Sequence, residues 1–344
     1  MSGLPRNVVL VGDAVKRLRE LPDSLVDCVI TSPPYFALRN YQVAGQIGLE
    51  ASVEEWVADL VAVVDEVARV LKPEGSLWLN LGDSYSRHPK YGAPAKGFLL
   101  APERLLLALA NRGWIVRNKV VWAKPNPMPA SVTDRLTASW EPMYFLVHSR
   151  RYFFDLDAIR VPHRSRLRRS GRRRGPEPRH PGSGRPAVWA GPLAGDQSGL
   201  DRLKASGMPG HPLGKNPGDV WTLTKSSFRG GHHATFPEAL VERPLLATCP
   251  ERVCVACGVA WRRQRLLTSL GTLTVRGELR PTCTCEAGWR SGLALDPFLG
   301  SGTTAVVAER FGRGWLGVEL NPDFAAIAQS RIATARTMSK GRGT

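Results

Sequence analysis

The sequence predicts an α/β fold, a Rossmann-like, doubly wound and mostly parallel sheet with helices on both faces, from three observations. Short apolar runs alternate with segments of helical period through the N-terminal third. The run Val26-Asp27-Cys28-Val29-Ile30 is too nearly continuous in apolar residues for a strand with one wet face. Late in the chain, "GLALDPFLGSGTTAVVAERFGRGWLGVELNPDFAAIAQSRI" reads as strand, glycine loop, helix, strand and helix in succession.

The elements follow in order. Val8 to Val11 is a short apolar strand, Ala14 to Glu20 a short helix, and Val26 to Ile30 a strand buried on both faces. From Ser52 to Leu71, Val53, Trp56, Val57, Leu60, Val63, Val64, Val67, Val70 and Leu71 recur at helical spacing, with Ser52 as N-cap. Lys72-Pro73-Glu74-Gly75 stops that helix and Ser76 to Leu81 resumes as a strand. Phe98 to Asn111 is the next helix, followed by strands near Ile115 to Trp122 and Pro142 to His148. From Arg160 to Arg185 the pattern collapses, with ten arginines against one acid, Glu177, among prolines and glycines. Such a segment cannot pack a core; it reads as a solvated linker or as a phosphate-binding arm. Regular structure returns with Gly218-Asp219-Val220-Trp221 and "HHATFPEALVERPLL", and the chain ends in a polar tail.

With 344 residues and 43% hydrophobic content the chain can bury a full core. A formal net charge of +17 exceeds what surface solubility needs and points to a polyanionic partner, nucleic acid before an anionic membrane. No apolar stretch approaches the ~18 to 20 residues of a spanning helix, and the N-terminus lacks a basic-then-apolar signal, so a cytoplasmic protein is expected.

"DPFLGSGTT" places Asp296 at the end of a strand, then a tight Gly-x-Gly turn, then a helix. The glycines let backbone approach a ligand at the edge of a doubly wound sheet. A phosphate loop needs Gly-Lys-Ser/Thr and a dinucleotide fingerprint a third spaced glycine; both are missing. Glu319 ends the following strand, where a carboxylate can accept both hydroxyls of a ribose. Two acids suit a ligand with ribose hydroxyls and positive charge, a description that S-adenosylmethionine fits; the alternative is that Asp296 and Glu319 only cap helices.

"TSPPY", residues 31 to 35, ends the buried strand on a hydroxyl, two prolines and a tyrosine. At a strand end in such a sheet, Ser32, Pro33, Pro34 and Tyr35 face the ligand crevice. Each proline removes an N–H, so the segment offers carbonyl acceptors beside the Ser32 hydroxyl. Such a nest suits an exocyclic amino group on a flat base. Hydrogen bonds from both amine N–H groups to Ser32 Oγ and the Pro33 carbonyl would aim its lone pair at an electrophilic methyl, with Tyr35 stacked on the base. In duplex DNA the base must first be flipped out. The bland reading is a Pro-Pro turn with an exposed tyrosine.

On these motifs the chain resembles the amino-group DNA methyltransferases of the β permutation, in which the catalytic motif precedes the cofactor motif. The resemblance covers most of the chain, through "GDA" at 12 to 14, "TSPPY", "KPNPMP" at 124 to 129, "RRYFFDLDAIRVP" from 150, "NPGDVW" from 216, "HHATFPEAL" from 232 and "DPFLGSGTT". It implies a sheet of methyltransferase type and assigns Asp13 to the adenine amine of S-adenosylmethionine, Phe236 and Pro237 to its methionine end, and Phe298 to the adenosine pocket. Gly300, Ser301, Gly302, Thr303 and Thr304 form the loop, beside Asp296, and Glu319 takes the ribose. Serine in the first position of the Ser-Pro-Pro-Tyr motif is most often associated in this family with cytosine-N4 transfer, adenine-N6 being the alternative; an RNA methyltransferase and a non-catalytic, basic, zinc-containing nucleic-acid binder are more distant alternatives. The partner implied is double-stranded DNA; a cognate restriction endonuclease and a homodimer are compatible with it.

Six cysteines stand at 28, 249, 254, 257, 283 and 285, five of them in one late stretch. That distribution favours metal over disulfides. Cys254, Cys257, Cys283 and Cys285 can supply the four thiolates of one structural zinc ion, with Cys249 as a substitute ligand; the alternative is four reduced cysteines packing a hairpin. Residues 1–154 then form the catalytic half, 155–215 a basic target-recognition region, 216–248 a return to the core, 249–290 the cysteine-rich insertion, 291–336 the cofactor half and 337–344 the polar tail.

Overall fold

The computed structural model describes residues 5–163, 211, 213–224, 236–264, 266–268, 271–273 and 277–340. The expected basic arm falls from residue 164 onward outside the described residues.

Strands β1 (Val8–Val11), β2 (Val26–Thr31), β3 (Leu71–Asn80), β4 (Ile115–Ala123), β5 (Trp140–Val147) and β6 (Val220–Thr222) precede the cysteine-rich segment. Within or beside it lie the short strands β7 (Val253–Cys254), β8 (Arg262–Arg263), β9 (Leu266–Thr268), β10 (Gly271–Leu273), β11 (Leu279–Arg280) and β12 (Trp289–Arg290), and β13 (Leu293–Asp296) and β14 (Gly314–Glu319) follow. The helices are α1 (Ala14–Arg19), α2 (Val53–Val70), α3 (Ala101–Asn111), α4 (Glu238–Thr248), α5 (Thr303–Arg310) and α6 (Pro322–Lys340). One eight-stranded sheet has the order β1-β14-β13-β2-β3-β5-β4-β6. All of its pairs are parallel except those that β5 makes with β3 and β4.

Alternate side chains of each strand feed two core layers. Leu18 of α1, Trp56 and Leu60 of α2 and Leu105 of α3 pack with Val29, Leu77 and Leu79 on one face. Leu240 and Leu245 of α4, Val307 of α5 and Ala328 of α6 pack with Cys28, Ile30 and Trp78 on the other. The one acid inside β2, Asp27, is paired: Lys72 Nζ lies 2.6 Å from its Oδ1, and Leu293 N–H donates to Oδ2 at 2.8 Å.

Boundaries differ from expectation where side chains intervene. Strand β3 starts at Leu71, directly after α2, because residues 72 to 75 bulge out of the ladder between the pairs Val26–Leu71 and Cys28–Ser76. The bulge accommodates Pro73, which has no N–H to give. Helix α3 starts at Ala101, since the Asp83 carboxylate accepts from the N–H groups of Leu100 (3.0 Å) and Ala101 (3.2 Å), while Phe98 stays outside, stacked on Tyr85. The expected polar tail is helical through Lys340. A second compact unit comprises 160–217 and 263–278. Residues 155 to 159 stay with the first unit, where Asp155 N–H donates to the Ala247 carbonyl at 2.8 Å.

From β2 the chain moves outward through β3, and from β13 it moves the other way to β14, so the sheet's crevice opens between the carboxyl ends of β2 and β13. There the Thr31 hydroxyl donates to Asp296 Oδ1 at 2.6 Å across 265 residues of sequence. Thr304 Oγ1 lies 2.8 Å from Asp296 Oδ2, and Phe298 N–H donates to Oδ1 at 3.1 Å. Asp296 is wholly buried, and these donors satisfy it.

Burial nevertheless pushes the Asp296 carboxyl up from 3.8 to about 6, against the pull of the two hydroxyls and the N–H. A raised folded-state value stabilises the protein fully below the unfolded value and loses that contribution as pH rises through the folded one. Relative to Asp296→Asn, the wild type should therefore lose on the order of 3 kcal/mol of stability as pH rises from about 3 to about 7, through the folded value near 6. Denaturant unfolding of both proteins across that range checks it, and a constant difference would contradict it.

Candidate functional site

The crevice holds a cleft of about 840 Å3, counted out to its open mouth. Ser32 and Pro34 from the end of β2 line it together with Asp13, Phe236, Phe298, Gly300, Ser301, Thr303 and Glu319. Two motifs far apart in sequence therefore share one cavity.

Gly300 and Gly302 turn the loop after β13 with φ of +52° and +83°, the left-handed region that favours glycine. Glu319, at the end of β14, accepts from Gly300 N–H on Oε2 at 2.7 Å and from Asn321 N–H on Oε1 at 2.9 Å. Both oxygens are thereby fixed, and each keeps a lone pair for the cleft. Burial raises the Glu319 pKa, and the backbone N–H groups of Asn321, Gly300 and Leu320 oppose the rise. Asp13 caps α1, accepting from Lys16 N–H at 2.9 Å, and is among the residues that line the cleft.

Four expected cofactor residues are not among those lining the cleft. Asp296 and Thr304 are buried in the tie between β2, β13 and α5. Pro237 is the N-cap residue of α4. Gly302 is bare because a Cβ there would lie 3.0 Å from that of Ala328 in α6.

Sequence reading missed the strap from Phe36 to Gly48. Tyr41, Val43, Gln46 and Ile47 line the cleft, and Tyr41 meets Phe324 of α6 edge-on at 6.2 Å. The strap braces itself: Gln46 Oε1 accepts from Tyr41 N–H at 2.6 Å, and Ala37 N–H donates to the Gly48 carbonyl at 2.9 Å. It has neither helical nor strand period. The available signal is the glycine pair Gly45 and Gly48, both with positive φ, between two structured segments.

Around the Ser-Pro-Pro-Tyr motif the structure corrects one expectation. Tyr35 is half-buried rather than exposed, its ring packed so closely on Gly82 that a Cβ there would lie 2.4 Å from it. Its hydroxyl donates to Glu141 Oε2 at 2.9 Å and lies 3.2 Å from Asn80 Oδ1. Ser32 Oγ lies 3.4 Å from both the Tyr35 hydroxyl and Asn80 Oδ1. Burial, and then the Glu141 charge, holds the Tyr35 phenol well above its ordinary pKa, so it stays a donor. The Pro34 carbonyl is taken by Trp56 Nε1 of α2 at 3.0 Å, which anchors the motif to the helix layer; Pro33 is buried.

The four late cysteines converge. The sulfurs of Cys254, Cys257, Cys283 and Cys285 all lie within 4.8 Å of one another, where an ideal tetrahedral thiolate shell needs separations of about 3.8 Å. The donor set fits zinc. Hydrogen bonding from the Cys257 N–H, ahead of that from Ala256, draws the Cys254 thiol down to about 7. Cys249 is no substitute ligand: it is buried in the core beside Cys28.

A family model described as DNA methylase matches residues 26–330. The type II methyltransferase M.SmaI of Serratia marcescens is 31% identical over 97% of this chain and 94% of its own. Among solved structures, the PvuII DNA methyltransferase (cytosine-N4-specific) superposes with a TM-score of 0.56 at 18% identity, covering 98% of this chain and 94% of its own. A putative DNA modification methylase of Thermus thermophilus, crystallised with S-adenosyl-L-methionine, superposes with a TM-score of 0.50 at 20% identity, covering 95% of each chain.

Protein purified without added metal is expected to carry about one zinc ion per chain. Elemental analysis checks this, and a chelator that removes the ion should lower the melting temperature. Well under one equivalent would contradict a zinc site.

Proposed function

We propose a specific reaction for this chain, which belongs to the DNA methylase family of amino-group methyltransferases: transfer of methyl from S-adenosylmethionine to the exocyclic amine of a base flipped out of duplex DNA, cytosine N4 in first place. The observation that carries the reading is the single cleft shared by Ser32 and Pro34 with Asp13, Phe298, Gly300 and Glu319. The residues present fit the cofactor. Glu319 offers two fixed carboxylate oxygens for a ribose, Asp13 a second acid, and Phe298, Tyr41 and Phe324 apolar walls. When bound, the cofactor supplies the electrophilic methyl.

The chain's own part is binding and orientation. An aromatic amine is a weak nucleophile because its lone pair is delocalised into the ring. Ser32 Oγ accepts from one amine N–H and turns the lone pair out of conjugation, and the Pro33 carbonyl is the second acceptor. The Tyr35 ring, held by Gly82 and Glu141, is a fixed surface for the base. No covalent enzyme intermediate is needed, and the catalysis is positioning plus acceptor electrostatics. Serine at position 32 is the feature that favours cytosine N4 over adenine N6. The net charge of +17 suits a DNA polyanion. Reading the type II label of its relatives across, the partner in the cell is a restriction endonuclease blocked by the same methylation.

Purified protein incubated with S-adenosylmethionine and unmethylated plasmid is expected to yield N4-methylcytosine on nucleoside mass spectrometry, and challenge of that plasmid with endonucleases maps the site. N6-methyladenine would keep the family and overturn the base assignment. Ser32→Ala should lower kcat by roughly 100-fold or more while cofactor Kd stays within about threefold. Equal losses in both would contradict the role of Ser32.

A further inference from the structure

The Ser32 hydroxyl can act as donor or as acceptor, and only an acceptor suits an amine. Its environment decides between them through a chain of hydrogen bonds that begins on another strand. Glu141, near the start of β5, is half-buried and bound on Oε1 by Lys124, the residue after β4; the two side chains are 19% and 11% exposed. Its other oxygen accepts from Tyr35. An ionised carboxylate has no proton to give, so the Tyr35 proton points to Glu141, at 2.9 Å, in preference to the neutral Asn80 Oδ1 at 3.2 Å. The Tyr35 oxygen then faces Ser32 with lone pairs only.

Asn80 is fixed in the same sense. Its amide nitrogen donates to the Pro142 carbonyl at 3.0 Å, and the side chain is 2% exposed, so Oδ1 is the atom turned towards Ser32. Both neighbours of the Ser32 hydroxyl are therefore acceptors, each at 3.4 Å. The serine proton goes to one of them, and its lone pairs are left for the cleft. The contacts to Ser32 are long, as catalytic hydrogen bonds often are before substrate binds.

We propose that Glu141, held by Lys124, is a positioning residue that sets the polarity of the Tyr35–Asn80–Ser32 hydrogen bonds, so that Ser32 meets the target amine as an acceptor. The proposal rests on the amino-methyltransferase reading. Glu141 touches neither base nor cofactor; it acts through Tyr35. In Glu141→Gln the amide can donate to the Tyr35 oxygen. The tyrosine proton then turns to Asn80 Oδ1 and the serine proton is displaced towards the cleft, where it opposes the amine.

The test is a double-mutant cycle with Tyr35→Phe, which removes the hydroxyl and keeps the ring. Wild-type methyl transfer to plasmid DNA, measured first, tests the underlying reading by itself. Given that activity, Glu141→Gln should lower kcat by about 10- to 100-fold with cofactor Kd and melting temperature little changed. In the Tyr35→Phe background the same substitution should change kcat by less than about threefold, because its route to Ser32 is already cut. A second readout needs no turnover. With the demethylated cofactor product bound, wild type should prefer a duplex whose target base carries its amine over one carrying hydrogen there, and Glu141→Gln should lose that preference. Equal kcat losses from Glu141→Gln in both backgrounds, or an unchanged preference, overturns the proposal. Should Glu141→Gln fail to fold, Tyr35→Phe alone decides: its kcat must fall about 10-fold or more, and a value within about twofold of wild type overturns the proposal.

Discussion

Everything at this site depends on one buried hydrogen bond, from Thr31 to Asp296 at 2.6 Å. It joins the carboxyl ends of β2 and β13, neighbouring strands that lead into the Ser-Pro-Pro-Tyr motif and the glycine loop. The two strands pair directly at Ala294–Cys28 and Leu295–Val29, so the ladder sets their register and the side chains set their ends. Asp296 also receives Thr304 from α5 and Phe298 N–H from the loop, so strand, loop and helix share one anchor. A buried carboxylate with fewer donors would be expensive, and that expense is what keeps the three segments in register.

Four carboxylates show how environment divides labour among like groups. Asp296 is walled off and structural. Glu319 has its oxygens fixed by backbone N–H groups and still borders the cleft. Asp13 caps a helix with one oxygen while its side chain borders the same cavity. Glu141 is not among the cleft-lining residues; Lys124 binds one of its oxygens and the Tyr35 hydroxyl donates to the other. Among the described residues no helix is long and apolar enough to cross a membrane, which matches a chain whose apolar segments are spent on a two-faced sheet.

Much of this was legible in the sequence because it lay in local pattern. The continuous apolar run of β2 predicted burial on both faces, and α2 announced itself through its spacing and its Ser52 cap, which accepts from Glu55 N–H at 3.3 Å. Convergence of the cysteines followed from their types and spacing. What stayed hidden depends on tertiary pairing. Asp296 stood at the right strand end for a ligand, yet its partner is a threonine 265 residues away. The burial of Tyr35 comes from Gly82 and Glu141 on other segments, and the strap carrying Tyr41 and Ile47 has neither helical nor strand period, its glycines Gly45 and Gly48 being its one local signal. The Pro73 bulge and the Asp83 cap moved element ends for the same reason.

Thr31→Val tests most directly whether the buried tie sets the Ser-Pro-Pro-Tyr motif against the glycine loop. The substitution keeps the β-branched shape and deletes the hydroxyl. With the cofactor saturating, kcat is predicted to fall by roughly 10-fold or more while cofactor Kd stays within about threefold, since small misplacement of reacting groups costs rate before it costs binding. A Thr31→Val protein that folds, binds the cofactor and turns over within about twofold of wild type would contradict the account.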